Sequence, residues 1–237
     1  MPTILVLGAR HLGGAILDRF SAHGYELASV CRTEETSAAV RQRHPQICAY
    51  SLDASDPDAL RRIVEEVEDK KGPLDLAVNA AQPVSPLDVK GGPLVDAGPA
   101  ALEPYTRTLL PLVHSFFHVC GRAMAERGRG TLIQVTGGSA ARATPGKGPW
   151  AAAAFATRGL TQAAALELRE RGVHVSLLVV DAVIASDKTQ EVLEGRDDEE
   201  SARHEDVLGA IEYLHAQSPR GWTHELRITP RKDRYVP

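Results

Sequence analysis

The chain has 237 residues, a formal net charge of −4 and 43% hydrophobic side chains, enough to bury one sizeable α/β core. Its apolar runs are far shorter than a membrane span, and its basic residues are too scattered for a nucleic-acid-binding face. Three cysteines, Cys31, Cys48 and Cys120, have neither a disulfide framework nor metal-ligand spacing, so reduced thiols and no metal site are expected. The first strand begins almost at once, which leaves no room for a secretory leader and gives the cytoplasm as the expected location.

Strand-like and helix-like segments then alternate. TILVL is apolar throughout, as a central parallel strand should be. GGAILDRFSAHG follows as an amphipathic helix stopped by Gly24. YELASVC is the second strand, and EETSAAVRQRH a helix with Pro45 just beyond it. QICAYSL is the third strand. Asp56 with Pro57 at the first helical position opens PDALRRIVEEVEDK, and LDLAVNA is the fourth strand. Gln82 to Gly98, rich in Pro and Gly, reads as a long surface excursion. A helix from about Ala101 to Glu126 is expected to bend near Pro111. GTLIQVT is the fifth strand, and an alanine-rich helix, PWAAAAFATRGLTQAAALELRERG, follows it. VHVSLLVV is the sixth strand. An acidic loop from Glu191 to Glu200, a C-terminal helix and a short strand THELRIT complete the chain. The alternation predicts an α/β fold with a doubly wound, seven-stranded, mostly parallel sheet and helices on both faces, in one domain over 1–237.

Four segments, ILVLGARHLGGAI, LDLAVNAA, GTLIQVTGGSA and the alanine-rich helix, come in the order and at about the spacing of a known family. The chain resembles the short-chain dehydrogenase/reductase family over nearly its whole length. The resemblance implies a Rossmann-like fold, a nicotinamide dinucleotide laid across the first glycine-rich turn, and a homodimer or homotetramer built through the two long helices.

For the cofactor, the resemblance maps Gly8 and Gly14 onto two of three loop glycines and Leu12 onto the middle one, with Gly13 beside it. A one-residue shorter register, aligning with an ARRLG form of the loop, remains open. Leu12 facing the phosphates would partly fill the groove, and Arg10 and His11 could offset this as donors. Arg32 closes the second strand where an acidic residue would favour NAD, and an arginine there suits a 2′-phosphate. Asp53 corresponds to the aspartate at the adenine edge and Asn79 to a strand-bracing asparagine. Ser186 stands at the hydroxyl position of the turn after the sixth strand, where DAVIAS replaces the usual Pro-Gly. The expected cofactor is therefore NADP(H), or none if Leu12 closes the groove.

For the chemistry, the family uses Ser, Tyr and Lys to bind the carbonyl, donate the proton and lower the donor's pKa. The register places Gly137, Trp150 and Ala154 on those three positions, and the asparagine of the preceding helix falls near Leu109. Ser139 and Lys147 are the leading substitutes, with Thr136, His11, Tyr105 and Asp181 behind them. These losses lead to the expectation of a pseudoenzyme that binds a small-molecule ligand or a protein partner, with no classical reductase activity. The first alternative is a working NADP-dependent oxidoreductase that acts on a carbonyl substrate with non-family residues. The second is a fold-only oligomer subunit without nucleotide.

Overall fold

The computed structural model describes residues 1–82 and 92–232; most of the excursion expected from Gln82 to Gly98, residues 83–91, lies outside the described residues. In chain order the elements are β1 (Thr3–Leu7), α1 (Leu12–Ala22), β2 (Glu26–Cys31), α2 (Glu34–Arg43), β3 (Cys48–Ser51), α3 (Pro57–Lys71) and β4 (Leu74–Asn79). A π-helical turn, Tyr105–Leu109, then leads into α4 (Leu110–Arg127), β5 (Gly130–Gly137) and α5 (Gly148–Arg169). The remainder is β6 (Val173–Val180), β7 (Val183–Ile184), α6 (Gln190–Leu193), β8 (Ser201–Ala202), α7 (His204–His215) and β9 (Glu225–Ile228).

The main sheet has seven strands in the order β3-β2-β1-β4-β5-β6-β9, and every pairing is parallel. The expected doubly wound sheet is thus present. In β1, Ile4 and Val6 enter the apolar layer shared with α1, α2 and α7. Leu5 and Leu7 enter the layer shared with α3, α4 and α5. Successive side chains of a strand point to opposite faces, so a strand covered on both sides must be apolar at every position.

Local chemistry sets the helix starts. The Asp56 carboxylate accepts the backbone N–H groups of Asp58 and Ala59 at 2.9 and 3.1 Å, and Thr33 accepts that of Thr36 at 3.4 Å. Each satisfies donors that a first turn leaves unpaired. Near Pro111 the structure shows a change of helix type: the π-helical turn ends at Leu109, and α4 begins with Pro111 in its first turn. Proline lacks an N–H and suits a helix start. The two-residue pairing of β7 with β8 has no periodicity to reveal it and is absent from the sequence reading.

Candidate active site

The crossover from β1 leads to β2 on one side, and the one from β3 returns to place β4 on the other side of β1, so a crevice opens at the carboxyl ends of β1 and β4, where ligands bind in open α/β sheets. A cavity of about 520 Å³ lies there. It runs from Arg32, Thr33 and Asp53, past Gly8, Arg10, His11 and Leu12, to Thr136, Gly137, Trp150, Ile184 and Ser186.

The glycine turn shapes its floor. Gly8 has φ +82°, and a Cβ there would lie 2.6 Å from Ala81 Cα, so only glycine fits both the backbone and the space. At Gly13 a Cβ would lie 1.9 Å from the Gly8 carbonyl oxygen, whereas at Gly14 it would lie 3.2 Å from that of Ala9. Gly13 therefore makes the close approach between turn and helix, and Gly14 is buried in α1 away from the cavity lining. Leu12 does not block the groove. It is 9% exposed and packs in the apolar layer with Ala9 and Ile16, bordering the cavity without closing it.

At the far edge, exposed Arg32 follows β2 and stands beside Thr33, which caps α2. Asp53 lines the same edge, with Oδ1 accepting the Ser55 N–H at 2.9 Å. Asn79 is fully buried and braces rather than lines. Its Nδ2 donates to Gln134 Oε1 at 2.9 Å, and its Oδ1 accepts from Ala81 N at 3.2 Å.

At the other end, Gly137 and Trp150 line the cavity, while Ala154 is 1% exposed and faces the core. Trp150 leans on buried Tyr105, with ring centroids 5.7 Å apart and planes at 53°. The indole forms a wall and leaves the cavity open. Leu109 is buried in the core beside α4. Thr136 lines the cavity; Ser139, Lys147, Tyr105 and Asp181 are not among its lining residues.

Asp181 has another role. Its carboxylate, in a residue only 5% exposed, forms an ion pair with Arg142 and fills the space over Gly138, where a Cβ would lie 1.8 Å from Oδ1. Its N–H donates to the Ile228 carbonyl at 3.0 Å, a bond that the family's proline at this position could not make. In the segment after β7, the Ser186 N–H donates to Thr189 Oγ1 at 2.9 Å, and Thr189 Oγ1 donates to Ile184 O at 2.7 Å. Both hydroxyl residues border the cavity, as does His204, whose Nε2 is buried without a hydrogen-bond partner. Gln134, Thr189 and His204 were missed in the sequence because no local motif marks them. The acidic loop is partly neutralised: Arg231 pairs with Glu199 at 2.6 Å, and Lys232 pairs with Asp197 and with Glu199.

No group of three or more His, Cys, Asp or Glu among the described residues could hold a metal ion. No helix among them is long and apolar enough to cross a membrane.

The sequence matches the family model described as short chain dehydrogenase over residues 2–197. It is 26% identical to zerumbone synthase of Zingiber zerumbet over 182 residues, 74% of this chain and 66% of that enzyme, just under two thirds of the latter's length. It is 23% identical to acetoacetyl-CoA reductase of Allochromatium vinosum over 220 residues, 87% of each chain. Among solved structures, ElxO with NADP bound superposes with a TM-score of 0.84 at 19% identity, over 96% of both chains. These matches overturn the expectation of a pseudoenzyme without reductase activity: the family model covers most of the chain, and relatives matched over most of their length are reductases. The separate expectation that Leu12 could close the groove is also corrected, because Leu12 turns into the core, and Trp150 packs against Tyr105.

Proposed function

The chain belongs to the short chain dehydrogenase family, and on that premise we propose that it is an NADP(H)-dependent oxidoreductase acting on a carbonyl or alcohol group through side chains other than the family's Ser, Tyr and Lys. The observation that carries this reading is the open cavity running from Arg32 to Trp150 across the ends of the parallel strands. The named reductase among its relatives and the NADP in a structural neighbour support it.

The residues present fit such a cofactor. Gly8 and Gly13 keep the turn clear of side chains where a diphosphate would lie against the start of α1. Arg10 and His11 border that position as charged or polar donors. Arg32, with the Thr33 and Thr36 hydroxyls, would receive a 2′-phosphate, and Asp53 the adenine edge. Ile184, Ser186 and Thr189 would hold the nicotinamide end. When bound, the cofactor supplies a hydride.

Among the described residues that line the cavity there is no tyrosine and no lysine. We assign the contact with the substrate oxygen to the Thr136 hydroxyl, one residue before Gly137, with the proton reaching that oxygen through water. Trp150 excludes solvent from one side and limits substrate size. We also read 1–237 as one domain, located in the cytoplasm and assembled as a homodimer or homotetramer. The exposed Phe155 and Leu166 of α5, 45% and 63% accessible, support the assembly.

The test is NADPH oxidation against a panel of aldehydes, ketones and quinones, with the alcohol product identified. Turnover that falls at least about 10-fold in Thr136→Val, the lower end of what a positioned catalytic group contributes, is the expected result. Tight NADPH binding with no reduced product across the panel overturns the proposal.

A further inference from the structure

The end of the sheet remote from the cavity carries buried imidazoles that the proposed reaction does not use. His174, the second residue of β6, is 3% exposed, and its ring stacks on Trp222 with centroids 5.1 Å apart and planes at 3°. Its Nε2 lies 3.0 Å from the Thr223 carbonyl oxygen and 2.8 Å from Ser176 Oγ, and its Nδ1 is buried without a partner. His215, the last residue of α7, places Nδ1 3.1 Å from Thr131 Oγ1 and Nε2 2.9 Å from the Tyr25 hydroxyl. Gln217 ties the segment down: its Nε2 donates to Thr223 Oγ1 and its Oε1 accepts from Thr223 N, both at 2.7 Å. The contacts of His174 and Gln217 hold Trp222–His224, the approach to edge strand β9, while those of His215 fix the end of α7, two residues before Gln217, to β5 and Tyr25.

We propose that His174 and His215 form an acid-sensitive latch that holds the Trp222–His224 segment and β9 against β6 while both rings are neutral, and that acidification releases this segment. The proposal stands independently of the oxidoreductase reading. Geometry supplies the reason. A second proton on His174 would sit on Nδ1, which is buried without a hydrogen-bond partner of good geometry, and the nearby Leu214 backbone only partly offsets the cost of a charge placed there.

The charged and titratable groups around the pair come from every neighbouring element. His224 precedes β9, and Tyr25 precedes β2. Asp75 on β4 is held by the Thr3 N–H at 3.0 Å and faces Arg129 at 3.9 Å. Arg158 of α5 pairs with Glu225 of β9 at 2.9 Å. Asp75 favours the cation at His215, but desolvation outweighs it, with the His174 ring opposing as well. Burial likewise holds His174 below the ordinary histidine value, against the Thr223 and Leu214 backbone bonds, with His224 opposing a second charge. Both folded values are lowered, so the stabilisation is complete above about pH 6.5 and is lost as pH falls through that value towards the folded pKa values. Each ring that protonates only after opening raises the opening constant by up to about 10-fold per pH unit, and the two together by up to about 100-fold. The effect reaches the cavity side, because the β9 residue Ile228 accepts the Asp181 N–H and the chain beyond it supplies Arg231 and Lys232 to the acidic loop.

Hydrogen exchange of the full chain at pH 7.5 and 5.5, corrected for intrinsic rates, tests the latch. Protection over 217–228 should fall at least about 10-fold more on acidification than protection over β1 and β4. His174→Gln and His215→Gln should each flatten that difference. A loss spread evenly over the sheet, or an unchanged pH dependence in both variants, overturns the proposal. Should either variant fail to fold, imidazole titration of the unaltered protein by NMR decides. Both rings titrating below about 6.5 supports the latch, and either ring at or above that value overturns it.

Discussion

Gly138→Ala should be unusually costly for so small a change, and its cost should depend on Asp181. The added methyl would lie 1.8 Å from Asp181 Oδ1 and 2.4 Å from its Cγ, so the carboxylate must retreat by more than about 1 Å to reach ordinary contact. Asp181 is 5% exposed, and its retreat strains the ion pair with Arg142. Overpacking of this kind costs about 1–3 kcal/mol, and disturbing the buried carboxylate's pairing raises the total to about 3 kcal/mol. For a chain of this size that lowers Tm by about 6–12 °C. In the Asp181→Gly background the same methyl meets open space and should cost under about 1 kcal/mol, the difference between glycine and alanine in a permissive site. A double-mutant cycle by thermal and urea unfolding should therefore return a coupling of about 2 kcal/mol. If the two costs add to within about 0.5 kcal/mol, the carboxylate does not occupy the space over Gly138 and the reasoning fails.

Arg32→Ala should weaken NADPH binding by about 10- to 100-fold, the worth of a charged hydrogen bond, and leave NADH affinity nearly unchanged. Calorimetric titration of both cofactors checks this, and equal losses for both would refute the 2′-phosphate assignment. Cys120 is fully buried, and burial pushes its thiol up to about 12, so alkylation of the folded protein at pH 8 should spare it and take the half-buried Cys48 first. Peptide mapping that finds Cys120 modified before unfolding would contradict the packing around α4.

Much of the fold was legible because its signals are local. The apolar run TILVL, the Asp56-Pro57 cap and the alanine-rich helix each state a conformation within a few residues. The cofactor edge was legible for the same reason, since Gly8, Arg10, His11, Arg32 and Asp53 follow strand ends and all line the cavity. What stayed hidden depends on distance. Arg142 and Asp181 meet across 39 positions, and Asn79 and Gln134 across 55, with no spacing rule to join them. Leu12 was misread because a glycine register alone cannot say which way a neighbouring side chain turns; the close approach of Gly13 to Gly8 decides it. The reading of lost chemistry failed from an excess of inference. It took the replacement of Ser, Tyr and Lys by Gly137, Trp150 and Ala154 as loss of the reaction, whereas the family match and the reductases among the relatives point to activity, and the cavity is open.

The strand order has a consequence for synthesis. Strand β1 joins β2 and β4, so the first four strands are complete by Asn79, but the far edge of β4 is covered only when β5, which starts at Gly130, emerges. At translation rates of about 5–20 residues per second, that edge waits for roughly 3–10 seconds. During that interval the half-sheet presents the unpaired backbone of an apolar strand, LDLAVN, the kind of edge that recruits other chains. The fold thus contains its own window of vulnerability on the ribosome, and aggregation during expression should respond to changes in β4 more sharply than to equal changes in β9, which is added last.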